Sequence, residues 1–204
     1  MAVDLQQSPF DIVAIGSSAG GVEALHVVTA ALSRDLAAAV LIVQHLHPHH
    51  DSLLPYLLGR HCRLEVRQAT HDDEIVAGIV YVAPPDMHLL VASGRVELSR
   101  SKLVHYSRPS IDLMFESVAG SYGARAIGVV LTGSGVDGAT GLRAIKGTGG
   151  VTVVQDPGTA AHRGMPQAAL ATGCADYVLA LENIGPELSR LAGPPSPATS
   201  KAMR

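Results

Sequence analysis

The chain reads as an α/β protein: a doubly wound, mostly parallel sheet with helices on both faces and a small antiparallel hairpin insertion. Three features predict this. Strand and helix signals alternate along most of the 204 residues. Several strand candidates, among them AAAVLIVQH (37–45) and AIGVVLTG (126–133), are unbroken apolar runs, as expected of strands covered on both faces. The middle stretch MHLLVASGRVELSR (87–100) instead alternates apolar and polar residues about Ser93-Gly94, the mark of a hairpin with one wet face.

Each element is set by local signals. DIVAIG (11–16) is a buried strand, SSAGG a turn of small residues, and VEALHVVTAAL (22–32) a helix. The strand 37–45 comes next and ends in the polar pair Gln44-His45. SLLPYLLGRH (52–61) suits a short helix with Asp51 or Ser52 near its N-cap, and LEVRQA (64–69) a third strand. IVYVAP (79–84) is stopped by Pro84-Pro85, and the hairpin after it is expected as a lid or an edge addition. RPSIDLMFESVAGSYG (108–123) carries Ser110 as N-cap, apolar residues at helical spacing, and a terminal Gly123. After the strand 126–133, the glycine-rich GSGVDGATGLRAIKGTGG (133–150) turns into a helix with Asp137 at or beside its start. VTVVQDP (151–157), MPQAALATG (165–173), DYVLA (176–180) and NIGPELSRL (183–191) complete the alternation. This divides the chain into an N-terminal extension (1–10), one domain (11–191) and a C-terminal tail (192–204) whose composition suits disorder.

Composition narrows the function. A net charge of −3 lacks the basic excess of a nucleic-acid binder, so no nucleic-acid partner is expected. Cys62 and Cys174 match neither a zinc-ligand spacing nor C-x-x-C, and read as reduced thiols. The N-terminus lacks a signal-peptide pattern and no apolar run approaches the ~20 residues that span a bilayer; a cytoplasmic protein without membrane insertion is expected.

In open parallel sheets, ligands bind beyond the carboxyl ends of the strands, where the strand order reverses. Ser18, His45 and Asp137 each fall at or just past such an end. They are also the side-chain types of a nucleophilic triad, in which a hydroxyl attacks, an imidazole takes and returns its proton, and a carboxylate orients the imidazole. Gly16-Ser17-Ser18-Ala19-Gly20 fits the G-x-S-x-G elbow, but the chain order Ser, His, Asp differs from that of α/β-hydrolases.

Plainer roles compete with each residue. Ser18 could cap the helix, His45 could be a bonded core histidine, and Asp137 could be an N-cap. Ser17 rivals Ser18 as nucleophile. A phosphate cradle at the same turn lacks both the G-x-G-x-x-G pattern and a P-loop lysine. The run His45, His47, His49, His50, Asp51 has no helical H-x-x-x-H spacing and is interrupted by Pro48, so no metal site is expected. His26, His61, His71, His88, His105 and His162 are scattered, and read as solvated or structural.

Six segments, IGSSAGGVEAL, VLIVQHLHP, YVAPPDMHLLV, RPSIDLMFESVA, VVLTGSGVDGATGLRAIKGTGG and VTVVQDPGTA-HRGMPQAAL, resemble in order the catalytic domain of the chemotaxis receptor methylesterases of the CheB type. The resemblance runs from about Asp11 to about Leu191. It implies Ser18 as nucleophile, His45 as general base and Asp137 as the carboxylate, with the backbone N–H groups of Ala19 and Ser134 as the oxyanion hole. Ala19 stands where the family commonly has a hydroxyl residue, and Ser134 where it commonly has methionine. The implied substrate is the cytoplasmic domain of a methyl-accepting chemoreceptor, whose γ-glutamyl methyl esters are hydrolysed to glutamate and methanol, with glutamine deamidation as a companion activity. No cofactor is implied. Well-known members carry an N-terminal receiver domain; this sequence begins about ten residues before its first strand, so control is expected from a separate regulatory protein or not at all. The alternative is a non-catalytic signalling module that keeps the fold and binds a methylated or acidic segment. The intact triad types argue against it.

Overall fold

A computed structural model describes residues 10–46 and 52–193. Its main sheet has seven strands, all paired in parallel: β1 (Ile12–Ser17), β2 (Ala39–Gln44), β3 (Glu65–Gln68), β4 (Ile79–Val82), β7 (Ala126–Val130), β8 (Val151–Gln155) and β9 (Tyr177–Leu179). Between β4 and β7 the chain forms a separate two-stranded antiparallel sheet, β5 (His88–Ala92) and β6 (Arg95–Ser99). The helices are α1 (Gly21–Ala30), α2 (Leu54–Gly59), α3 (Ile111–Tyr122), α4 (Ala139–Gly147), α5 (Gly164–Ala171) and α6 (Leu181–Leu191). The order across the sheet is β3-β4-β2-β1-β7-β8-β9, so the chain runs outward from β1 in one direction and later returns to its other side.

Strand alternation decides which helices cover which face. Ile12 and Ala14 of β1 join a core with Met114, Phe115 and Val118 of α3, Leu142 and Ile145 of α4, and Met165 and Ala169 of α5. Val13 and Ile15, one step along, join the opposite core with Leu25 and Val28 of α1, Leu58 of α2, and Ile184 and Leu188 of α6. Both faces are therefore dry, and β1, β2 and β7 are buried at every position.

The hairpin is neither a lid over the sheet nor an added edge strand. Its apolar face, Leu89, Val91 and Val96, belongs to the core of α3. Val91 N donates to Ser117 Oγ at 3.1 Å, and Ser121 Oγ donates to the Val91 carbonyl at 3.1 Å. An isolated two-stranded sheet is marginal in water, and α3 supplies the apolar surface it needs. Ser93 and Gly94 turn with φ of 51° and 73°, the left-handed pair that a two-residue hairpin loop requires.

At the boundaries, Phe10 packs against the α1/α6 core. Ala192, the first residue of the expected tail, is fully buried and accepts a hydrogen bond from Ala37 N at 2.9 Å. Residues 1–9 and 194–204 lie outside the described residues.

Candidate active site

The three central strands β2, β1 and β7 end side by side, and Ser18, His45 and Asp137 meet beyond them. Ser18 comes directly after β1 and His45 directly after β2, while Asp137 lies in the loop from β7 to α4. His45 Nδ1 is 3.2 Å from Ser18 Oγ, and His45 Nε2 is 2.9 Å from Asp137 Oδ2. The carboxylate accepts the Nε2–H, which leaves Nδ1 with its lone pair aimed at the serine hydroxyl.

Asp137 is held from the side of α3. Its Oδ2 also accepts Ile111 N at 2.9 Å, while Oδ1 accepts Asp112 N at 2.9 Å and Ser110 Oγ at 3.2 Å. The carboxylate therefore sits on the N-terminus of α3, where unpaired amides and the helix dipole favour a negative charge. Burial pushes its pKa up, but the hydrogen bonds from His45, Ile111 and Asp112 outweigh this and hold it below the ordinary value, so it stays ionised. Asp112 returns the arrangement. Its Oδ1 accepts Gly138 N at 2.9 Å and Gly141 N at 2.7 Å at the start of α4. Each acid thus binds at the start of the helix beside the other. The N-cap of α4 is Gly138, with no side-chain cap, so Asp137 does not fill that position. Burial raises the pKa of Asp112, with the charge of Asp137 adding to the rise.

The two serines separate cleanly. Ser17 pairs with Gln44 in register, is fully buried, and donates its hydroxyl to Gln44 Oε1 at 2.7 Å. Gln44 Nε2 donates in turn to the carbonyls of Ser18 at 2.8 Å and His45 at 2.9 Å. Ser18, one residue on, faces the imidazole. It is not the N-cap of α1, which is Gly20 at φ 74° with no side-chain cap. Nor is Ser18 among the residues with positive φ, so the left-handed step of this turn falls on Gly20 rather than on a strained serine. A Cβ on Gly20 would lie 2.8 Å from Ala161 Cβ, a second reason for glycine there.

Ala19 and Ser134 lie on the two loops flanking Ser18. Ser18 N donates to the Thr132 carbonyl at 3.0 Å, and Thr132 Oγ1 is 3.0 Å from the Ala19 carbonyl. A Cβ on Gly133 would stand 2.9 Å from Ser18 Cβ, so the loop that carries Ser134 passes directly beside the nucleophile candidate. Among the described residues, neither the Ala19 nor the Ser134 amide donates a hydrogen bond within the protein. A cleft of about 340 Å³ opens beside His45, lined by Leu46, Asp86, Leu103, Tyr106, Ser107 and Arg108. Tyr106 is 98% exposed at its rim.

Sequence patterns do not single out Gln44, Ser110 or Asp112 as site residues. A polar residue closing a fully apolar strand is the available signal for Gln44. Nothing local distinguishes Asp112 from an ordinary first-turn acid. His47, His49, His50 and Asp51 lie outside the described residues; His45 faces Ser18 and Asp137. Among the described residues no helix is long and apolar enough to cross a membrane.

A family model described as CheB methylesterase matches residues 13–188. A curated protein of Leptospira interrogans, provisionally named protein-glutamate methylesterase/protein-glutamine glutaminase, is 40% identical over 183 residues, which are 89% of this chain and 95% of that one. The protein-glutamate methylesterase/protein-glutamine glutaminase 2 of Anaeromyxobacter dehalogenans is 42% identical over 89% of this chain but only 53% of its own length. This chain thus spans about half of that relative. The crystal structure of the Thermotoga maritima CheB methylesterase catalytic domain superposes with a TM-score of 0.85 at 34% identity, covering 89% of this chain and 98% of that one.

Proposed function

The chain belongs to the CheB methylesterase family, and from that premise we propose that it is a serine hydrolase that removes methyl esters from glutamate side chains of chemoreceptors. The observation that carries the proposal is the unbroken line Ser18–His45–Asp137, with separations of 3.2 and 2.9 Å. These fall within the reach expected of a nucleophile, base and orienting acid without substrate.

In this mechanism the Ser18 hydroxyl attacks the ester carbonyl as its proton passes to His45 Nδ1. Asp137 stabilises the imidazolium through Nε2–H and keeps the ring in the productive tautomer. The amides of Ala19 and Ser134 hold the oxyanion. Collapse breaks the bond to the methoxy oxygen, His45 returns the proton, and methanol leaves a glutamyl ester on Ser18. Water, deprotonated by His45, then attacks that ester; the acyl bond to Ser18 Oγ breaks, His45 returns the proton to that oxygen, and glutamate is released. With a glutamine substrate the same steps expel ammonia, the companion deamidation.

The proposed substrate glutamate projects from the helical cytoplasmic region of a methyl-accepting receptor, and the proposed place of action is accordingly the cytoplasm. Exposed Leu103 and Tyr106 at the rim offer apolar contacts to such a helix beside the reacting side chain. The test is methanol release from methylated receptor membranes. Release is lost in Ser18→Ala and retained in Ser17→Ala; release that survives Ser18→Ala would overturn the assignment. Receptor binding without release by the unaltered protein would favour a non-catalytic module.

A further inference from the structure

His88 takes no part in the proposed chemistry, yet it is fully buried at the start of β5 with both ring nitrogens engaged. Nδ1 accepts the Ser110 N–H at 3.1 Å, and Nε2 donates to the Lys102 carbonyl at 3.1 Å. One partner is a donor and the other an acceptor, so only the neutral Nε2–H tautomer satisfies both. Burial pushes the pKa of His88 below its ordinary value, in keeping with a neutral ring.

Each partner stands at the head of a segment that shapes the site. Ser110 is the N-cap of α3, and its hydroxyl together with the next two amides, Ile111 N and Asp112 N, donates to Asp137. The carboxylate thus lies wherever the first turn of α3 puts its donors. Lys102 leads directly into Leu103, Tyr106, Ser107 and Arg108, which wall the cleft beside His45. A single imidazole therefore clamps the cleft wall to the cradle of the acid, from a hairpin outside the main sheet.

We propose that His88 is a positioning residue for the catalytic acid, acting through Ser110 to fix the α3 N-terminus that holds Asp137. The inference rests on Asp137 being the acid of the proposed reaction. Displacing that carboxylate misaligns the imidazole against Ser18, and misplacement by ~1 Å from a distant change can cost about 100-fold in rate.

Two substitutions divide the imidazole between them. In His88→Asn the amide oxygen stands near the place of Nδ1 and keeps the acceptor for Ser110. In His88→Gln the longer amide reaches Lys102 as a donor but leaves Ser110 N–H without its partner. With methylated receptor membranes as substrate, His88→Gln lowers kcat by up to about 100-fold with KM unchanged. His88→Asn keeps kcat near wild type despite a lower melting temperature. In an Asp137→Asn background, His88→Gln produces no further loss of kcat, because the group it positions is already gone. A purely structural histidine would instead cost the same factor in both backgrounds.

The inference is overturned if His88→Gln retains wild-type kcat, if both variants lose kcat equally, or if the loss repeats in the Asp137→Asn background. If His88→Gln does not fold, His88→Asn decides alone, and a loss as large as that of Asp137→Asn overturns the idea. An Asp137→Asn protein with full turnover removes the triad reading and this inference together. An inactive Asp137→Asn protein beside a fully active His88→Gln removes this inference alone.

Discussion

Replacing Gly21 with alanine adds one methyl group beneath the proposed nucleophile, and two opposing effects set its outcome. Gly21 opens α1, where helix propensity alone favours alanine by about 1 kcal/mol. The new carbon, however, would lie 2.0 Å from Gln44 Oε1 and 2.8 Å from both Ser17 Cβ and Ser17 Oγ. Gln44 has nowhere to retreat: it is 5% exposed and pinned by Ser17 Oγ at 2.7 Å and by the carbonyls of Ser18 and His45 at 2.8 and 2.9 Å. Overpacking costs about 1–3 kcal/mol, and stripping a buried polar atom of its partner costs about as much again. The steric cost wins, for a net loss of about 3 kcal/mol, or roughly 6–12 °C in melting temperature for a domain of this size. Because the displaced amide braces the main chain of both Ser18 and His45, methanol release falls as well, by up to about 100-fold. Gly120→Ala is the control. Gly120 lies inside α3 with open space where its Cβ would go, so that change stabilises by about 0.5–1 kcal/mol. Denaturant unfolding and methanol release on the two variants are the assays. A Gly21→Ala protein as stable and as active as wild type would refute the claim that Gln44 is rigidly held.

Asp137→Asn removes the charge that selects the His45 tautomer and is expected to lower kcat by about 10⁴-fold; a loss below tenfold in methanol release would argue that the carboxylate serves only to cap α3. Ser134→Ala leaves the rate near wild type, because the exposed side chain is not asked to act and the amide is retained; a large loss would move the oxyanion role to the hydroxyl. Stability should depend on pH through His88. Its pKa is depressed in the fold, so its contribution is complete above the ordinary value of 6.5 and is lost as pH falls below it towards the folded value. Melting temperatures from pH 7.5 down to pH 5 should therefore decline more steeply in wild type than in His88→Asn, and equal slopes would contradict a buried neutral ring.

Much of this site is legible in the sequence. Continuous apolar runs are what strands buried on both faces require, and polar residues at their ends are expected along one rim of a parallel sheet. The hairpin is equally plain from its alternation and from Ser93-Gly94. Its destination is not, because an apolar face specifies that it must be covered and not by what. In the structure α3 covers it, and that packing brings His88, in sequence one of several scattered histidines, to the N-cap of the helix that holds Asp137.

Hydropathy period, turn residues and motif spacing are local properties, so the chain alone determined its strands, its helices and three chemically apt positions. What separates Ser17 from Ser18 is visible only in the fold. Neighbouring residues at a strand end face different surroundings, and the register with β2 hands Ser17 to Gln44 while leaving Ser18 to His45. The same holds for Asp137, whose carboxylate is cradled by the helix that begins 26 residues before it. Such bonds join residues far apart in sequence, and no pattern within a single segment can encode a partner that the strand order has yet to bring near.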